Sequence, residues 1–308
     1  MWKLNFQTLT PLHISNGNEL GQNFDYIEQD GVVKKINLFK FSKRILELGL
    51  FNISQNYSYR EFYNIIEQNK HLFVGDFFEY EVECTHRALN QIRSDTAEGK
   101  NVIKEFINSN GRFYIPGSSV KGVLATILRR ESIGIRSSIE QKFVIHDSDF
   151  ISNENMIVDR TYKGRPSIQL ICLKPFTKFT LKVKKTGDIL LQTLKDKLRT
   201  YYKIQLTKAI ENVSKYKDEV NHEAGANLYT EILEEYRRVL NEEINEDEYL
   251  INLGYGSGSY FKIYENIKIP TFWNRKAKEE QEAHTTFSFY DGEYIDHIGW
   301  CKLTIEEE

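Results

Sequence analysis

Arg112-Phe-Tyr-Ile-Pro-Gly-Ser-Ser-Val-Lys-Gly122 is the stretch whose reading decides the fold. Arg112 to Ile115 is aromatic and β-branched, the composition of a short strand. Pro116-Gly117 breaks it. Ser118 and Ser119 are both competent N-caps. Apolar residues then fall at Val120, Val123, Leu124, Ile127 and Leu128, the spacing of one buried helix face. Arg129-Arg130 suits the negative C-terminal pole of that helix.

A helix start of this kind presents unpaired backbone N–H groups and a partial positive charge. Gly117 and Gly122 let a ligand backbone or a neighbouring strand come close, and Lys121 adds a full charge one turn in. The assembly suits a phosphate. The same residues also fit a plain strand–turn–helix joint with a solvated lysine, and the motif alone leaves both readings open.

Working outward, 308 residues fit about two domains and can bury sizeable cores. The formal net charge of −3 excludes a globally basic nucleic-acid binder, so any basic surface is local. Cys84, Cys172 and Cys301 are far apart, lack zinc-ligand spacing and are odd in number, which predicts a reduced, cytoplasmic protein. Met1 to Thr10 alternates polar and apolar residues without a hydrophobic signal core. No stretch approaches the roughly 20 apolar residues of a membrane span, so no membrane partner is expected.

Trp2, Leu4 and Phe6 alternate with Lys3, Asn5 and Gln7, predicting a half-buried first strand. Leu9-Thr-Pro-Leu-His-Ile-Ser-Asn-Gly17 is a turn-rich loop containing His13. Residues 24–27 and 32–36 flank Asp30-Gly31 as a hairpin. Residues 38–50 and 58–72 read as helices, the second with the capping-box pair Ser58 and Glu61. A strand is predicted at 78–85, and an ill-defined polar loop with a short helix at 86–110. Strands follow at 142–150, 155–162, 167–173 and 174–185. In the last, Phe179, Leu181 and Val183 alternate with Lys178, Lys182 and Lys184. Helices are expected at 186–220 and 224–240, an acidic turn at 242–248, a strand at 249–253 and a loose helix at 272–284. Strands at 285–290 and 300–305 close the chain. Strands and helices in mixed order, with hairpins, favour an α+β architecture over a doubly wound parallel sheet.

Leu253-Gly-Tyr-Gly-Ser-Gly258 and the following Ser-Tyr-Phe-Lys262 form a second glycine cluster after a strand. No Gly-Lys-Ser/Thr closes it, so it is not a Walker loop. Phe261 stands where a dinucleotide fingerprint needs its third glycine or alanine. Its readings are a glycine-rich turn or a loop whose N–H groups track a phosphodiester backbone, with Lys262 behind them.

The N-terminal Leu-Thr-Pro-Leu-His-Ile-Ser-Asn-Gly17, the Ile-Pro-Gly-Ser-Ser-Val-Lys-Gly122 block and Leu-Gly-Tyr-Gly-Ser-Gly258 occur in that order. Together they resemble the RAMP superfamily of CRISPR RNA-binding proteins. Val144-Ile-His-Asp-Ser148 and Gly299-Trp-Cys-Lys-Leu-Thr-Ile305 resemble one branch, the subunit that caps the guide RNA (crRNA) 3′-end in type III-A (Csm) effector complexes. Where the family commonly has Ile-Gly-x-Gly after its histidine, this chain has Ile14-Ser-Asn-Gly17. The resemblance implies two RRM-like (ferredoxin-like) domains with antiparallel sheets and helical insertions, here residues 1–180 and 181–308. It implies a non-catalytic subunit of antiviral defence with no cofactor, whose partners are crRNA, backbone RAMP subunits and host nucleases that trim the 3′-end. Gly117, Ser118, Ser119, Lys121 and Gly122 would hold phosphates, and Gly254, Gly256, Gly258 and Lys262 would track the adjacent backbone. Arg160, Tyr162, Lys163 and Arg165 lie on a hairpin that touches RNA or is merely solvated.

His13 and Asp25 are the catalytic candidates. A histidine near the N-terminus serves as general base in some relatives that process guide precursors, which makes a crRNA-processing endoribonuclease the alternative function. No partner histidine or lysine lies near His13 in sequence. Asp25 sits where backbone subunits place a target-cutting aspartate. His146, Asp147 and Asp149 suggest a metal, but alternation on a strand turns His146 away from both aspartates, so no metal is expected. A phosphate-loop nucleotide enzyme, a third class, lacks its Walker and kinase patterns.

Overall fold

The structure, a computed structural model, describes all residues except 53, 76, 95–101, 129–142, 163–167, 186–190, 220–229, 232, 235, 239–240, 242–244, 258–270, 275–278, 283–288, 292–294 and 308. The described strands and helices run β1 Trp2–Thr8, β2 Ser15–Gly21, β3 Tyr26–Gln29, β4 Val32–Ile36, α1 Leu38–Glu47, α2 Tyr59–Asn69, β5 Phe78–Cys84, α3 His86–Ser94, β6 Val102–Phe106, β7 Asn108–Ser109 and β8 Arg112–Phe113. There follow α4 Gly117–Leu128, β9 Phe143–Ile145, β10 Met156–Tyr162, β11 Ile168–Leu173, β12 Lys178–Lys185, α5 Leu191–Glu219, β13 Glu248–Asn252, β14 Thr271–Asn274, β15 Glu279–Glu282, β16 Phe289–Asp291, β17 Ile295–His297 and β18 Trp300–Glu307. Sheets with helices packed on them make this an α+β fold, as the mixed order of segments predicts. Among the described residues, no helix is long and apolar enough to cross a membrane.

Two compact units are present, each built from separated segments. Unit 1 comprises Met1–Ile14, Ile115–Asp149 and Lys174–Glu308; unit 2 comprises Ser15–Tyr114 and Phe150–Leu173. This partition differs from the expected 1–180 and 181–308, whose boundary falls inside β12.

In unit 1 the sheet order is β13-β18-β1-β12-β9, with every pair antiparallel. The alternation of β1 does what its sequence demands: Trp2, Leu4, Phe6 and Thr8 are buried, and Lys3, Asn5 and Gln7 are half-buried. Register places Leu4 opposite Leu181 and Ile305, and Phe6 opposite Phe179 and Leu303. The Phe6 and Phe179 rings stack with centroids 5.0 Å apart. Leu124 and Leu128 of α4 and Leu194 of α5 meet Trp2, Leu4, Phe143 and Val183 in one apolar layer. On β12 the opposite positions, Lys178, Thr180, Lys182 and Lys184, are exposed.

Unit 2 orders its strands β2-β6-β11-β10-β5-β4-β3. The pairs β10–β5 and β11–β6 are parallel, so this sheet is not wholly antiparallel. Ile27, Ile36, Phe41, Ile45, Ile66 and Phe73 form a buried cluster beneath α1 and α2. The capping box at α2 is complete, with Ser58 bonded to the Glu61 N–H and Glu61 to the Ser58 N–H.

The structure corrects four segment assignments. In the polar stretch 86–110 the expected short helix is α3, but the stretch also holds the strand β6, whose inward residues include the charged Glu105, so that it reads as loop. The loose helix at 272–284 is instead the hairpin β14–β15, with Phe272 opposite Gln281 and Trp273 opposite Glu280. Strand pairing there overrides the helical propensity of its glutamates. The strands expected over 112–115 and 142–150 shrink to Arg112–Phe113 and Phe143–Ile145. The residues released from them build the start of α4. Of the expected helix at 224–240, residues 230, 231, 233, 234 and 236–238 are described and helical.

Candidate nucleic-acid interface

Helix α4 begins at Gly117, one residue before the serines that its sequence offers as caps. The reason lies about 30 residues downstream. The Gly117 N–H donates to Asp147 Oδ1 at 2.8 Å. The Ile115 N–H donates to Ser148 Oγ at 2.8 Å, and the Ser148 N–H returns a bond to the Ile115 carbonyl at 2.9 Å. A carboxylate from Val144-Ile-His-Asp-Ser148 therefore faces the positive pole of the helix, where it is favourable. Gly117 is buried, and a Cβ there would lie 2.1 Å from the Ile145 carbonyl oxygen. Its clearance serves the protein's own backbone and not a ligand.

The remainder of the motif has the opposite character. Ser118, Lys121 and Gly122 are spaced i, i+3, i+4 and share one helix face. Ser118 and Gly122 are exposed, and Lys121 and Ser119 are half-buried. The Ser119 N–H donates to the Pro116 carbonyl at 3.0 Å. Lys121 Nζ lies 5.7 Å from the Phe143 ring centroid, within cation–π range. Among the described residues, Gly122 has no atom within 4 Å of where a Cβ would stand. A helix-interior glycine costs roughly 0.5–1 kcal/mol relative to alanine. Among the described residues, no packing constraint explains that cost.

The other two motifs meet each other. The Tyr255 N–H donates to the His13 carbonyl at 2.8 Å, and the two rings make an edge contact with centroids 5.8 Å apart. Gly254 takes φ +73°, and a Cβ on it would stand 2.2 Å from the His13 carbonyl oxygen. Leu253 donates to Gly299, Gly299 to Pro11, and the Trp300 N–H to Thr10 Oγ1 at 3.0 Å. Thus the 9–14 loop, the turn Gly254–Ser257 and the 298–300 turn are one hydrogen-bonded knot. His13 is fully buried within it. Gly258 and Lys262, expected to extend the turn, lie outside the described residues.

Arg160 is half-buried on β10; Lys163 and Arg165 fall outside the described residues. Asp25 closes the turn after β2, its Oδ2 accepting the Gly21 N–H at 2.9 Å and its Oδ1 lying 3.7 Å from Lys35 Nζ. His146, Asp147 and Asp149 are exposed, with Asp147 committed to α4. Among the described residues, no group of three or more His, Cys, Asp or Glu side chains is placed to hold a metal.

Sequence reasoning missed two carboxylates. Glu105 is buried and accepts from Asn16 at 2.7 Å, Asn18 at 2.9 Å and the Tyr80 hydroxyl at 2.7 Å. Burial pushes its pKa up, but those hydrogen bonds outweigh it and hold the group below the ordinary range. It thereby fastens the irregular start of β2 at Ser15. The Ser15 hydroxyl accepts the Gly17 N–H at 2.9 Å and closes that turn. Asp159 is buried under α3 with the Thr85 hydroxyl 2.7 Å away, and burial pushes its pKa up to about 7. Neither carries a local sequence signal, because the partners of each lie far away in the chain.

The Csm5 protein of Methanocaldococcus jannaschii is 30% identical over 122 residues, which is 39% of this chain and 28% of that protein. A chain of a type III-A Csm–crRNA–target RNA ternary complex superposes with a TM-score of 0.63 at 14% identity, covering 98% of this chain and 100% of that one. Csm5 of T. onnurineus gives 0.59 at 16% identity, covering 96% and 99%. At such identities the structural matches establish the fold. The RAMP superfamily profile matches residues 5–262, the span that holds the N-terminal loop, the α4 motif and the glycine turn. The chain belongs to the RAMP superfamily.

Proposed function

We propose that the chain is a non-catalytic, cytoplasmic RNA-binding subunit of a type III-A Csm effector complex. It holds the 3′ part of the crRNA at the end of a row of backbone RAMP subunits and assists crRNA maturation, with host nucleases trimming the protruding end. The observation that carries the reading is the exposed face of α4. There a hydroxyl, an ammonium and a glycine with open space lie together at a helix start. Such a face receives a phosphodiester backbone without sequence preference. The likeness to Csm5 and to a chain of a crRNA-bound Csm complex supports the assignment of partners. Full burial of His13 argues against the endoribonuclease alternative, since a general base must reach the proton that it removes.

A chain of net charge −3 has no global field with which to hold RNA tightly alone. Binding in isolation should be weak and salt-sensitive. Incorporation should be stable when backbone subunits and guide are co-expressed, because the contact then occurs at high effective concentration. Native mass spectrometry of the co-purified assembly should show one copy per complex. Two or more copies, or tight salt-resistant RNA binding by the lone protein, would refute the terminal role.

Lys121→Ala should weaken RNA binding evenly across sequences and reduce the salt slope by roughly 0.7, the loss of one single-strand phosphate contact. Equilibrium titration at several salt concentrations measures both. An unchanged slope with the fold intact removes Lys121 from the interface.

A further inference from the structure

A row of aromatic rings in unit 2 belongs to none of the motifs above. Phe51 stacks on Phe62 at 4.8 Å and 29°, Phe62 on Phe24 at 4.7 Å and 23°, and Phe24 on Tyr59 at 4.5 Å and 19°. The inner end is anchored, since Phe51 and Phe62 pack against the buried cluster beneath α1 and α2. The outer end is not covered: Tyr59 is 41% exposed, and among the described residues no ring other than Phe24 stacks on it.

The turn that carries Phe24 is clamped in place. Asn23 is fully buried at φ +62°, and its Nδ2 donates to the Tyr63 carbonyl at 3.3 Å and to Glu67 Oε2 at 3.0 Å, both on α2. Asp25, the catalytic candidate, secures the other side of the same turn through the Gly21 N–H. On α2, the complete capping box fixes the first turn and with it Tyr59. Both outer rings are therefore oriented before any ligand arrives, which lowers the entropic cost of binding.

We propose that the Phe24–Tyr59 end of this stack is a platform for an unpaired base of single-stranded RNA. The inference rests on the RNA-binding reading above and adds a second contact to it, of a different kind from the α4 phosphate face. Three features favour a nucleobase over an aliphatic side chain of a protein partner. The rings are near-parallel, the series ends on an exposed ring, and a tyrosine stands at the wet end. Stacking on such a platform tolerates any base, because every base has a π-face. The role of Asp25 is then to hold the turn that presents Phe24.

The test uses the co-purified complex loaded with guide RNA carrying 4-thiouridine at successive positions. After irradiation, a crosslink from one unpaired position should map to Tyr59 or Phe24. In Tyr59→Ala the RNA end should dissociate at least about fivefold faster, the low end of what loss of one base–aromatic stack produces, while Tyr59→Phe should retain it. The proposal is overturned if guide is present but every crosslink maps elsewhere and Tyr59→Ala releases RNA at the wild-type rate. It is equally overturned if Tyr59 is covered by a neighbouring protein subunit. A wild-type complex from which guide is absent would fail the RNA-binding reading itself. The crosslink map is read on the wild-type protein, so it does not depend on how the variant folds.

Discussion

Gly117→Ala is expected to unfold or severely weaken unit 1, by about 3 kcal/mol or more, the upper range for forcing an atom into a packed interior. The new Cβ would stand 2.1 Å from the Ile145 carbonyl oxygen and 2.9 Å from that of His146. Both obstacles are backbone, so no side-chain rotation relieves them. The segment carrying them also supplies Asp147 and Ser148, the groups that tie down the helix start. Displacing it would break those bonds as well. Gly122→Ala, five residues on in the same motif, should have the opposite sign. Its Cβ meets nothing among the described residues, and a helix-interior alanine should stabilise by roughly 0.5–1 kcal/mol. Thermal melts of the two variants give the comparison directly. Equal destabilisation would mean that the α4 start does not pack against residues 145–148 as described. A Gly122→Ala protein that melts higher yet binds guide less well would identify Gly122 as clearance reserved for RNA.

Gly254→Ala should be comparably damaging for two separate reasons. An L-residue at φ +73° carries a cost of roughly 1–2 kcal/mol. In addition, the Cβ would lie 2.2 Å from the His13 carbonyl, the atom that accepts the Tyr255 N–H. A total of about 3 kcal/mol corresponds to a fall of roughly 6–12 °C in melting temperature for a domain of 150–250 residues. Because the same turn joins Pro11 through Gly299, loss should spread across the whole knot. A melting temperature within about a degree of wild type would show that His13 and the glycine turn are not in contact.

What the sequence made legible was whatever repeats locally. The two-residue alternation of β1 and β12 and the helical spacing of α4 survive intact in the structure, because periodic burial is written in consecutive residues. The capping box at Ser58 is likewise a four-residue signal. The site was legible only in outline. Sequence left Gly117 and Gly122 sharing one description, room for a ligand backbone or a neighbouring strand, but the structure separates them into a buried joint and an open surface. That difference depends on Asp147 and the Ile145 carbonyl, which lie some thirty residues away. Glu105 hid a whole strand by being charged and inward, since its neutralising partners Asn16, Asn18 and Tyr80 come from other strands. Strand β15 was hidden in another way, by glutamates whose intrinsic preference is helical.

The place of β1 in its sheet constrains how the protein is made. β1 precedes both of its sheet partners in the chain, being hydrogen-bonded on one side to β12 and on the other to β18, with Trp2 opposite Glu307. Translation at about 5–20 residues per second leaves the first strand waiting roughly 15–60 s for its last partner. All segments of unit 2 have been synthesised once Leu173 has emerged, so that unit can close during synthesis while unit 1 is still incomplete. Over that interval Leu4 and Phe6 belong to an apolar strand without its sheet, the state most prone to pairing with the wrong chain. The nascent protein is therefore a natural client for a chaperone that shields its N-terminal segment. An mRNA recoded for faster translation anywhere between β1 and β18 should shorten the vulnerable period by the time that it saves.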